Sequence, residues 1–401
     1  MPSYKYVIVG GGMTGDAAVK GIREVDAEGT IALIGSEPHR PYKRPPLTKA
    51  LWKGTPLEKI WLQTPEENVD FLVEHTISSL DVANRLVIDD RGTEYAYERL
   101  LLATGGTPRT LNLDGDGTGE VIYYRTFDHY RQLRELADSG QRFAVIGGGF
   151  IGSEIAAALT MNDREVFMIF PGGAIGKNIY PAGLARFVTD YYREKGVTLL
   201  SGSIAAGVEK RNGGLTVKVR GEDGGERGVE VDGVVAGIGI EPNVGLAVEA
   251  GLDVDGGVVV DEQLHAGHPD IFAAGDIAVF HNPALGKRLR VEHEDNAKTM
   301  GRCAGRNMAR KTDPYNHLPF FYSDLFDLGY EAVGELSSRL ETVEDWTEPF
   351  RKGVVYYVSD ARVRGVLLWN VWGQVEAARR LIAQPGPIAP AELKGRLPES
   401  E

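Results

Sequence analysis

The stretch Gly10-Gly11-Gly12-Met13-Thr14-Gly15 recurs in the same form as Gly147-Gly148-Gly149-Phe150-Ile151-Gly152. Each copy follows a run typical of a short buried strand and precedes a run typical of a helix. In such a turn the first glycine allows the tight bend, the second lets the backbone approach a pyrophosphate, and the third lets helix and strand pack closely. The free N–H groups at the helix start then face the phosphates. The flanking runs are Tyr4–Val9 and Asp16–Val25 for the first copy, and Arg142–Ile146 and Ser153–Thr160 for the second.

A third element, Ala273-Ala274-Gly275-Asp276, lies far downstream of both turns. Its strand, Ile271–Ala274, ends in a glycine and a carboxylate, which could accept a ribityl hydroxyl while nearby N–H groups bind phosphate. Together the three elements predict two bound dinucleotides, one of them a flavin.

The composition is that of a soluble globular enzyme, with 42% hydrophobic and 25% charged residues among 401. No apolar run is long enough to span a bilayer, so we predict no membrane span. The first core strand begins within a few residues of Met1, which leaves no room for a signal peptide and predicts a cytoplasmic location.

The formal net charge of −13 argues against a nucleic-acid partner, because phosphate neutralisation needs a concentrated basic surface. Cys303 is the single cysteine, so an internal disulfide or a CxxC relay is excluded by count. We interpret it as a buried small residue rather than a reactive thiol. His265 and His268 are separated by Gly267, which interrupts any helix that would place them on one face, and we predict no metal site.

The order of these patterns predicts an α/β fold with two Rossmann-like dinucleotide-binding domains, the second inserted in the first, and a C-terminal α+β domain. The first domain would comprise residues 1–110 and 240–317, the second 111–239, and the third 318–401. In the last domain, Val354–Val358 and Val363–Trp369 are predicted antiparallel strands, followed by an amphipathic helix over Val375–Ile382. This domain carries no nucleotide motif and would cover the flavin edge or form a homodimer contact.

An acidic residue about twenty positions beyond the glycines can accept hydrogen bonds from ribose hydroxyls, and Glu37 meets that expectation in the first domain. In the second domain the strand Glu165–Phe170 continues as Phe170-Pro171-Gly172-Gly173 and carries no acid. A missing carboxylate removes repulsion against a 2′-phosphate, and Lys177 could attract one. These features weaken any preference for NADH over NADPH, and we expect NADH or NADPH as the coenzyme, with NADH slightly favoured.

The sequence resembles the two-dinucleotide flavoprotein family that includes the ferredoxin reductases of oxygenase systems and apoptosis-inducing factor. The resemblance covers nearly the whole chain and rests on several stretches besides the turns. They are Pro41–Lys49, Ala103-Thr104-Gly105, Gly147–Glu154, Ala274-Gly275-Asp276, Arg290–Ala297, Phe321–Leu325 and Val366–Asn370.

The resemblance implies that one set of residues contacts FAD. A second set would contact NAD(P)H or the flavin ring. Ile77 would contact the adenine through its backbone, and Arg44 offers a planar fork suited to phosphate. The alternative for the charged members is that they are surface charges. The implied residues are Gly10, Gly12, Met13, Thr14, Gly15, Glu37, Arg44, Lys49, Ile77, Ala103, Thr104, Gly105, Arg125, Gly275 and Asp276, with Gly147, Gly149, Phe150, Ile151, Gly152, Glu154, Gly239, Glu292, His293 and Tyr322.

Four of these residues would be catalytic by the same resemblance. Glu154 would pair with Lys49 beside the flavin, and Phe150 would be an aromatic gate that swings aside for nicotinamide. His293, with Glu292, would line the pyrimidine and nicotinamide sides, although His293 could equally be a helix-start histidine without a catalytic role. Tyr322 stands where apoptosis-inducing factor has tryptophan, so stacking there should differ.

Two functions fit these residues. The first is an FAD-dependent NAD(P)H reductase that takes hydride at flavin N5 and passes electrons to a ferredoxin- or rubredoxin-type protein or a quinone. The second is a redox-sensing flavoprotein, reduced slowly to a long-lived charge-transfer complex that changes its dimerisation or partner binding. Rates of reduction and turnover discriminate between them. Pro46–Gly54 contains no cysteine, so peroxide or disulfide reduction is not expected.

Overall fold

The computed structural model describes residues 1–211 and 213–397, which divide into two compact units. The first unit comprises Met1–Lys43, Leu57–Thr107 and Glu241–Phe321; the second comprises Arg44–Pro56, Pro108–Ile240 and the chain from Tyr322 onward. The predicted three-domain boundaries stay a prediction. The two units differ from them by grouping residues 44–56 and the C-terminal segment with the middle of the chain.

The first unit is built on an eight-stranded sheet with a parallel centre. Val7, Ile8 and Val9 are at most 5% exposed, as expected for a parallel strand covered on both faces. The strands in spatial order are His265–His268, Ile271–Ala273, Glu94–Leu102, Ser3–Val9, Ile31–Gly35 and Val69–Val73, with Ile77–Asp81 and Leu86–Asp89 forming a hairpin that pairs with Glu94–Leu102. A smaller sheet contains Val258–Val259, Ala278–Asn282 and Lys287–Leu289.

Two long helices of the first unit approach each other closely. A Cβ atom on Gly21 would lie 2.1 Å from the carbonyl oxygen of Arg302, and one on Gly305 would lie 2.1 Å from that of Ala18. Only glycine permits this backbone contact, which fixes the helix that follows the first turn. The helices of the unit are Met13–Arg23, Gly245–Glu249 and Glu294–Met308, with 3-10 turns at Leu57–Ile60 and Gly275–Ile277.

The second unit repeats the parallel arrangement and adds antiparallel structure. Its parallel sheet has the order Thr198–Ser201, Glu165–Phe170, Arg142–Ile146, Gly233–Ala236 and Val121–Tyr123. An antiparallel sheet of Ser203–Arg211, Gly214–Gly221 and Glu226–Val231 shares its apolar core. The helices are Phe127–Ser139, Phe150–Met161 and Ala182–Glu194, with 3-10 turns at Pro45–Thr48, Ala50–Lys53 and Thr118–Glu120. Short strands at Gly106–Pro108 and Ile240–Pro242 lie where the chain passes from one unit to the other.

The C-terminal part is an antiparallel sheet with one helix. The strand order is Phe320–Leu325, Leu328–Gly334, Arg362–Trp369, Lys352–Ser359 and Glu341–Glu348, followed by the helix Val375–Ala383 and a 3-10 turn at Pro390–Glu392. Parallel sheets followed by this antiparallel part confirm the predicted fold class. Over residues 1–211 and 213–397, no helix has both the length and the apolar character needed to cross a membrane.

Candidate functional site

The first glycine turn has an open cradle at the start of a helix. Gly10 has a φ of +135°, and a Cβ there would lie 2.0 Å from the carbonyl oxygen of Ala103, so the position requires glycine. Gly12 precedes the helix Met13–Arg23 without a side-chain cap, and nothing lies within 4 Å of its Cβ position. The first N–H groups of this helix therefore have room for a phosphate.

The structure brings two distant predicted segments to this turn. The Ala103 N–H donates to the Val9 carbonyl at 2.8 Å, directly before Gly10. A Cβ on Gly275 would lie 2.3 Å from Thr14 Oγ1, which places Gly275 and Asp276 beside the same helix start. Thr104 Oγ1 donates to the Asn243 carbonyl at 2.7 Å, anchoring the Ala103-Thr104-Gly105 turn.

Glu37 lies beyond the next strand, as the sequence predicts. Its carboxylate accepts a hydrogen bond from the Tyr42 hydroxyl, and its carbonyl accepts one from the Glu74 N–H at 3.2 Å. Ile77, three residues after Glu74, is buried. The residues predicted to contact ribose and adenine, Glu37 and Ile77, therefore lie on neighbouring segments of the backbone. Their role in binding stays a prediction.

The second turn repeats the first in backbone form. Gly147 has a φ of +121°, and a Cβ there would lie 2.4 Å from the Gly237 carbonyl oxygen. A Cβ on Gly152 would lie 2.0 Å from the Gly147 carbonyl oxygen, while Gly149 again has nothing within 4 Å. Gly239, with a φ of +96°, accepts a hydrogen bond from the Arg109 N–H at 3.0 Å.

The position equivalent to Glu37 is Gly172 in the second turn's unit. The residue before each glycine turn pairs with an isoleucine of the next strand: Val9 with Ile34 in the first unit, and Ile146 with Ile169 in the second. Glu37 and Gly172 each lie three residues after that isoleucine. A Cβ on Gly172 would lie 3.0 Å from Cδ of Lys177, whose side chain is exposed. A lysine therefore covers the place where the first unit has its acid.

Lys49 and Glu154 form a buried ion pair in the second unit. Lys49 Nζ lies 2.6 Å from Glu154 Oε2, and the side chains are only 9% and 3% exposed. Lys49 Nζ also lies 5.3 Å from the centroid of the Tyr322 ring. The predicted pairing is present, and its position beside a flavin stays a prediction.

Arg44 and Arg125 lie in the same unit as this pair. Arg44 donates to the Arg125 carbonyl at 3.1 Å, and both side chains are half-buried. Phe150 is the first residue of the helix that carries Glu154, and it too is half-buried. Ile151 follows at 36% exposure, so an apolar surface borders the second cradle.

His293 is the N-cap residue of the helix Glu294–Met308 in the first unit. Its ring stacks on Phe321 at a centroid distance of 4.3 Å. Burial lowers the pKa of His293 to about 4, although the carboxylates of Asp276 and Asp295 act in the opposite direction. The imidazole is therefore neutral at pH 7. Glu292 instead pairs with Arg290 at 2.7 Å.

Two family profiles together match most of the chain. The profile of the family described as pyridine nucleotide-disulphide oxidoreductase matches residues 4–301. The chain belongs to this family. A second profile, described as apoptosis-inducing factor, mitochondrion-associated, C-term, matches residues 304–349 and 344–384 of this family member.

Individual relatives agree with both profiles. Apoptosis-inducing factor 1, mitochondrial, of Dictyostelium discoideum is 35% identical over 420 residues, covering 94% of this chain and 78% of the relative. Monodehydroascorbate reductase 3 of Arabidopsis thaliana is 34% identical over 403 residues, covering 91% and 89%. The solved covalent putidaredoxin reductase and putidaredoxin complex matches with a TM-score of 0.88 at 29% identity, covering 98% of this chain and 95% of the matched chain.

These matches confirm the predicted ferredoxin reductase and apoptosis-inducing factor family. As a member, the chain is an FAD-dependent NAD(P)H oxidoreductase. The two open cradles fit that cofactor pair, because Gly12 and Gly149 each leave the backbone accessible to a pyrophosphate.

The family name mentions a disulphide, which this sequence cannot form internally. Cys303 is its one cysteine and is buried. Burial raises the pKa of its thiol to about 11, which agrees with an inert core residue.

The sequence reasoning missed three partners of the site residues. Thr48 and Ser323 both donate to Glu154, and Phe321 stacks on His293. Thr48 and Ser323 are separated from Glu154 by 106 and 169 positions, so no local pattern connects them. The strand Phe320–Leu325 contains two adjacent polar residues, Ser323 and Asp324, and the sequence alone does not show which of them is buried.

Proposed function

We propose that this protein oxidises NAD(P)H and delivers the electrons to a small electron-transfer protein of the ferredoxin or rubredoxin type, or to a quinone. The observation that carries the proposal is the buried ion pair between Lys49 and Glu154, of which Glu154 lies on the helix that starts at the second cradle. A charge pair kept out of water at such a place costs desolvation energy and has no need to be there for folding alone. One buried cysteine leaves no thiol relay between cofactor and acceptor.

When bound, FAD would supply the redox chemistry, as an acceptor of hydride and a donor of single electrons. The protein would position the coenzyme against the flavin and adjust the reduction potential of the flavin. Phe150 would shield the nicotinamide site until the coenzyme enters. His293, neutral at pH 7, would present no positive charge to an oxidised coenzyme bound next to it. Lys49 would set the local potential, with Glu154 balancing its charge.

Both coenzymes should be accepted, with NADH slightly favoured. Gly172 offers no carboxylate to repel a 2′-phosphate, and the exposed Lys177 offers an attraction. The opposing effect is the net charge of −13, which disfavours the additional phosphate of NADPH. Screening at physiological salt keeps that difference small.

The acceptor is inferred from relatives. One solved relative is a reductase captured in complex with putidaredoxin, which supports a protein acceptor here. A curated relative is named a monodehydroascorbate reductase, so a small organic acceptor belongs in the same assay.

A second function is favoured by the C-terminal match to apoptosis-inducing factor. In it the flavoprotein is reduced slowly, and its dimerisation or partner binding responds to the redox state. A homodimer and a cytoplasmic location stay predictions, and one relative is named mitochondrial.

The test is anaerobic stopped-flow mixing of the purified flavoprotein with NADH and with NADPH, followed by turnover with a ferredoxin, a quinone and monodehydroascorbate. Complete bleaching at tens per second and matching turnover with one acceptor would support the reductase. Bleaching over minutes into a persistent long-wavelength band, with no acceptor turned over, would contradict it and support the sensor.

A further inference from the structure

Glu154 is surrounded by more hydrogen-bond donors than its ion pair requires. Lys49 Nζ and Thr48 Oγ1 each lie 2.6 Å from Oε2, and Ser323 Oγ lies 2.6 Å from Oε1. Both carboxylate oxygens are therefore bound, in a site where Thr48 is 5% and Ser323 is 1% exposed. Charge-assisted hydrogen bonds of this kind are short and strong.

The Thr48 hydroxyl also connects the two charges. Lys49 Nζ donates to Thr48 Oγ1 at 3.3 Å, while the single hydroxyl proton of Thr48 is directed to Glu154, since the Pro45 carbonyl is farther away at 3.3 Å. Thr48 ends a 3-10 turn whose Leu47 carbonyl accepts from Trp52 Nε1 at 2.8 Å and Tyr124 Oη at 2.6 Å. Two hydrogen bonds to the Leu47 carbonyl, from Trp52 and from Tyr124, therefore fix the position of the turn that carries Thr48.

Ser323 reaches the carboxylate from a different element. It lies on the strand Phe320–Leu325, whose next residue, Asp324, faces the other way and pairs with Lys53 at 3.1 Å. Tyr330 and Trp369, both 0% exposed, stack at 5.5 Å and belong to the same sheet. In such water-poor surroundings a hydrogen bond to a charge is stronger than in solvent.

From this arrangement we propose that Ser323 and Thr48 are positioning residues that hold the Glu154 carboxylate against Lys49 and thereby set the charge that Lys49 presents to the bound flavin. The inference rests on the proposed function, which puts Lys49 beside the flavin. Loss of either hydroxyl frees one side of the carboxylate, so its alignment with the ammonium loosens. A less compensated ammonium favours electron uptake nearby.

The experiment is a double-mutant cycle on the equilibrium between the protein-bound flavin and a reference redox dye. Glu154→Gln removes the counter-charge and should shift the equilibrium constant toward reduced flavin by about tenfold or more. Ser323→Ala should shift it in the same direction by roughly three- to tenfold. In the Glu154→Gln background Ser323→Ala should have almost no effect, because Ser323 acts only through the negative charge of Glu154, which is already absent.

Matched controls separate this role from general packing. Ser203→Ala removes another buried serine of the same unit, whose hydroxyl only approaches the Ser201 carbonyl at 3.5 Å, and should leave the equilibrium unchanged. Ser323→Thr keeps the hydroxyl and should restore most of the wild-type value. Thr48→Val gives the same test independently if Ser323→Ala does not fold, with Thr160→Val as its control.

The outcomes are distinguishable. An unchanged equilibrium in Glu154→Gln overturns the placement of Lys49 beside the flavin, and with it this inference. A shift in Glu154→Gln without one in Ser323→Ala and Thr48→Val overturns the inference alone. So does a Ser323→Ala shift that persists in the Glu154→Gln background.

Discussion

The two glycine turns have nearly the same backbone but different side chains one helical turn later. Gly12 and Gly149, which precede the two helices, have φ and ψ of −94° and −165° and of −93° and −163°. Seven residues after the first glycine, however, one helix carries Ala17 and the other carries Glu154. The backbone therefore has the same cradle geometry in both units, whereas a carboxylate at this helix position occurs in only one of them.

The largest expected effect tests whether the cradles are equivalent. Gly10→Ala and Gly147→Ala would each drive a Cβ into a backbone carbonyl, at 2.0 and 2.4 Å, with φ in the left-handed region. We expect each to lose about 3 kcal/mol or more of the free energy of unfolding. Urea denaturation measures the loss.

The matched changes are Gly12→Ala and Gly149→Ala, whose Cβ atoms enter open space. They should leave stability within about 0.5 kcal/mol, while Gly12→Ala weakens FAD retention and Gly149→Ala weakens NAD(P)H binding. If Gly149→Ala released FAD instead, the assignment of one cofactor to each cradle would be wrong.

The second prediction concerns the charge that distinguishes the two helices. Glu154→Leu leaves Lys49 buried without its partner and should cost about 3–5 kcal/mol of folding stability. The double variant Lys49→Met with Glu154→Leu should recover most of that loss, because replacing both charges by apolar groups removes the desolvation penalty. Thermal and urea unfolding of the three variants measures this, and an unrecovered double variant would contradict it.

The third prediction uses the neutral histidine of the first unit. The pKa of His293 falls from 6.5 to about 4 in the folded chain because of burial. Between these values the unfolded chain binds the proton and the folded chain does not, so stability decreases as the pH falls from about 6.5 to about 4, by about 3 kcal/mol. His293→Phe keeps the stacking on Phe321 and should flatten this part of the pH dependence. An equal slope in both proteins would contradict the prediction.

The smallest expected effect is at the strand ends, where Glu37 and Gly172 correspond. Lys177→Ala should raise the KM for NADPH roughly two- to fivefold and leave that for NADH unchanged, as expected for one exposed ion pair. Gly172→Glu should disfavour NADPH further. Lys394→Ala, another exposed lysine of the second unit, is the control. Equal changes for both coenzymes would place the 2′-phosphate elsewhere.

Local signals predicted the cradles and the strands around them. The strands Arg142–Ile146 and Glu165–Phe170 have the predicted bounds, and the pairing of Lys352–Ser359 with Arg362–Trp369 is antiparallel as predicted. The antiparallel sheet that begins at Ser203 was not predicted, because pairing register depends on contacts that no short pattern encodes. Ser323 was missed for the same reason, since its partner is distant in sequence.

The segment Arg44–Pro56 has a consequence for dividing the chain. Its flanks belong to the first unit, yet it folds with the second and supplies Thr48 and Lys49 to Glu154. A fragment starting at Pro108 would therefore leave the Glu154 carboxylate without Thr48 and Lys49, and would need the 44–56 peptide added in trans to restore these contacts. In such a complementation experiment, the affinity of the peptide for the fragment could be measured by titration, and it would report the strength of the Lys49–Glu154 contact.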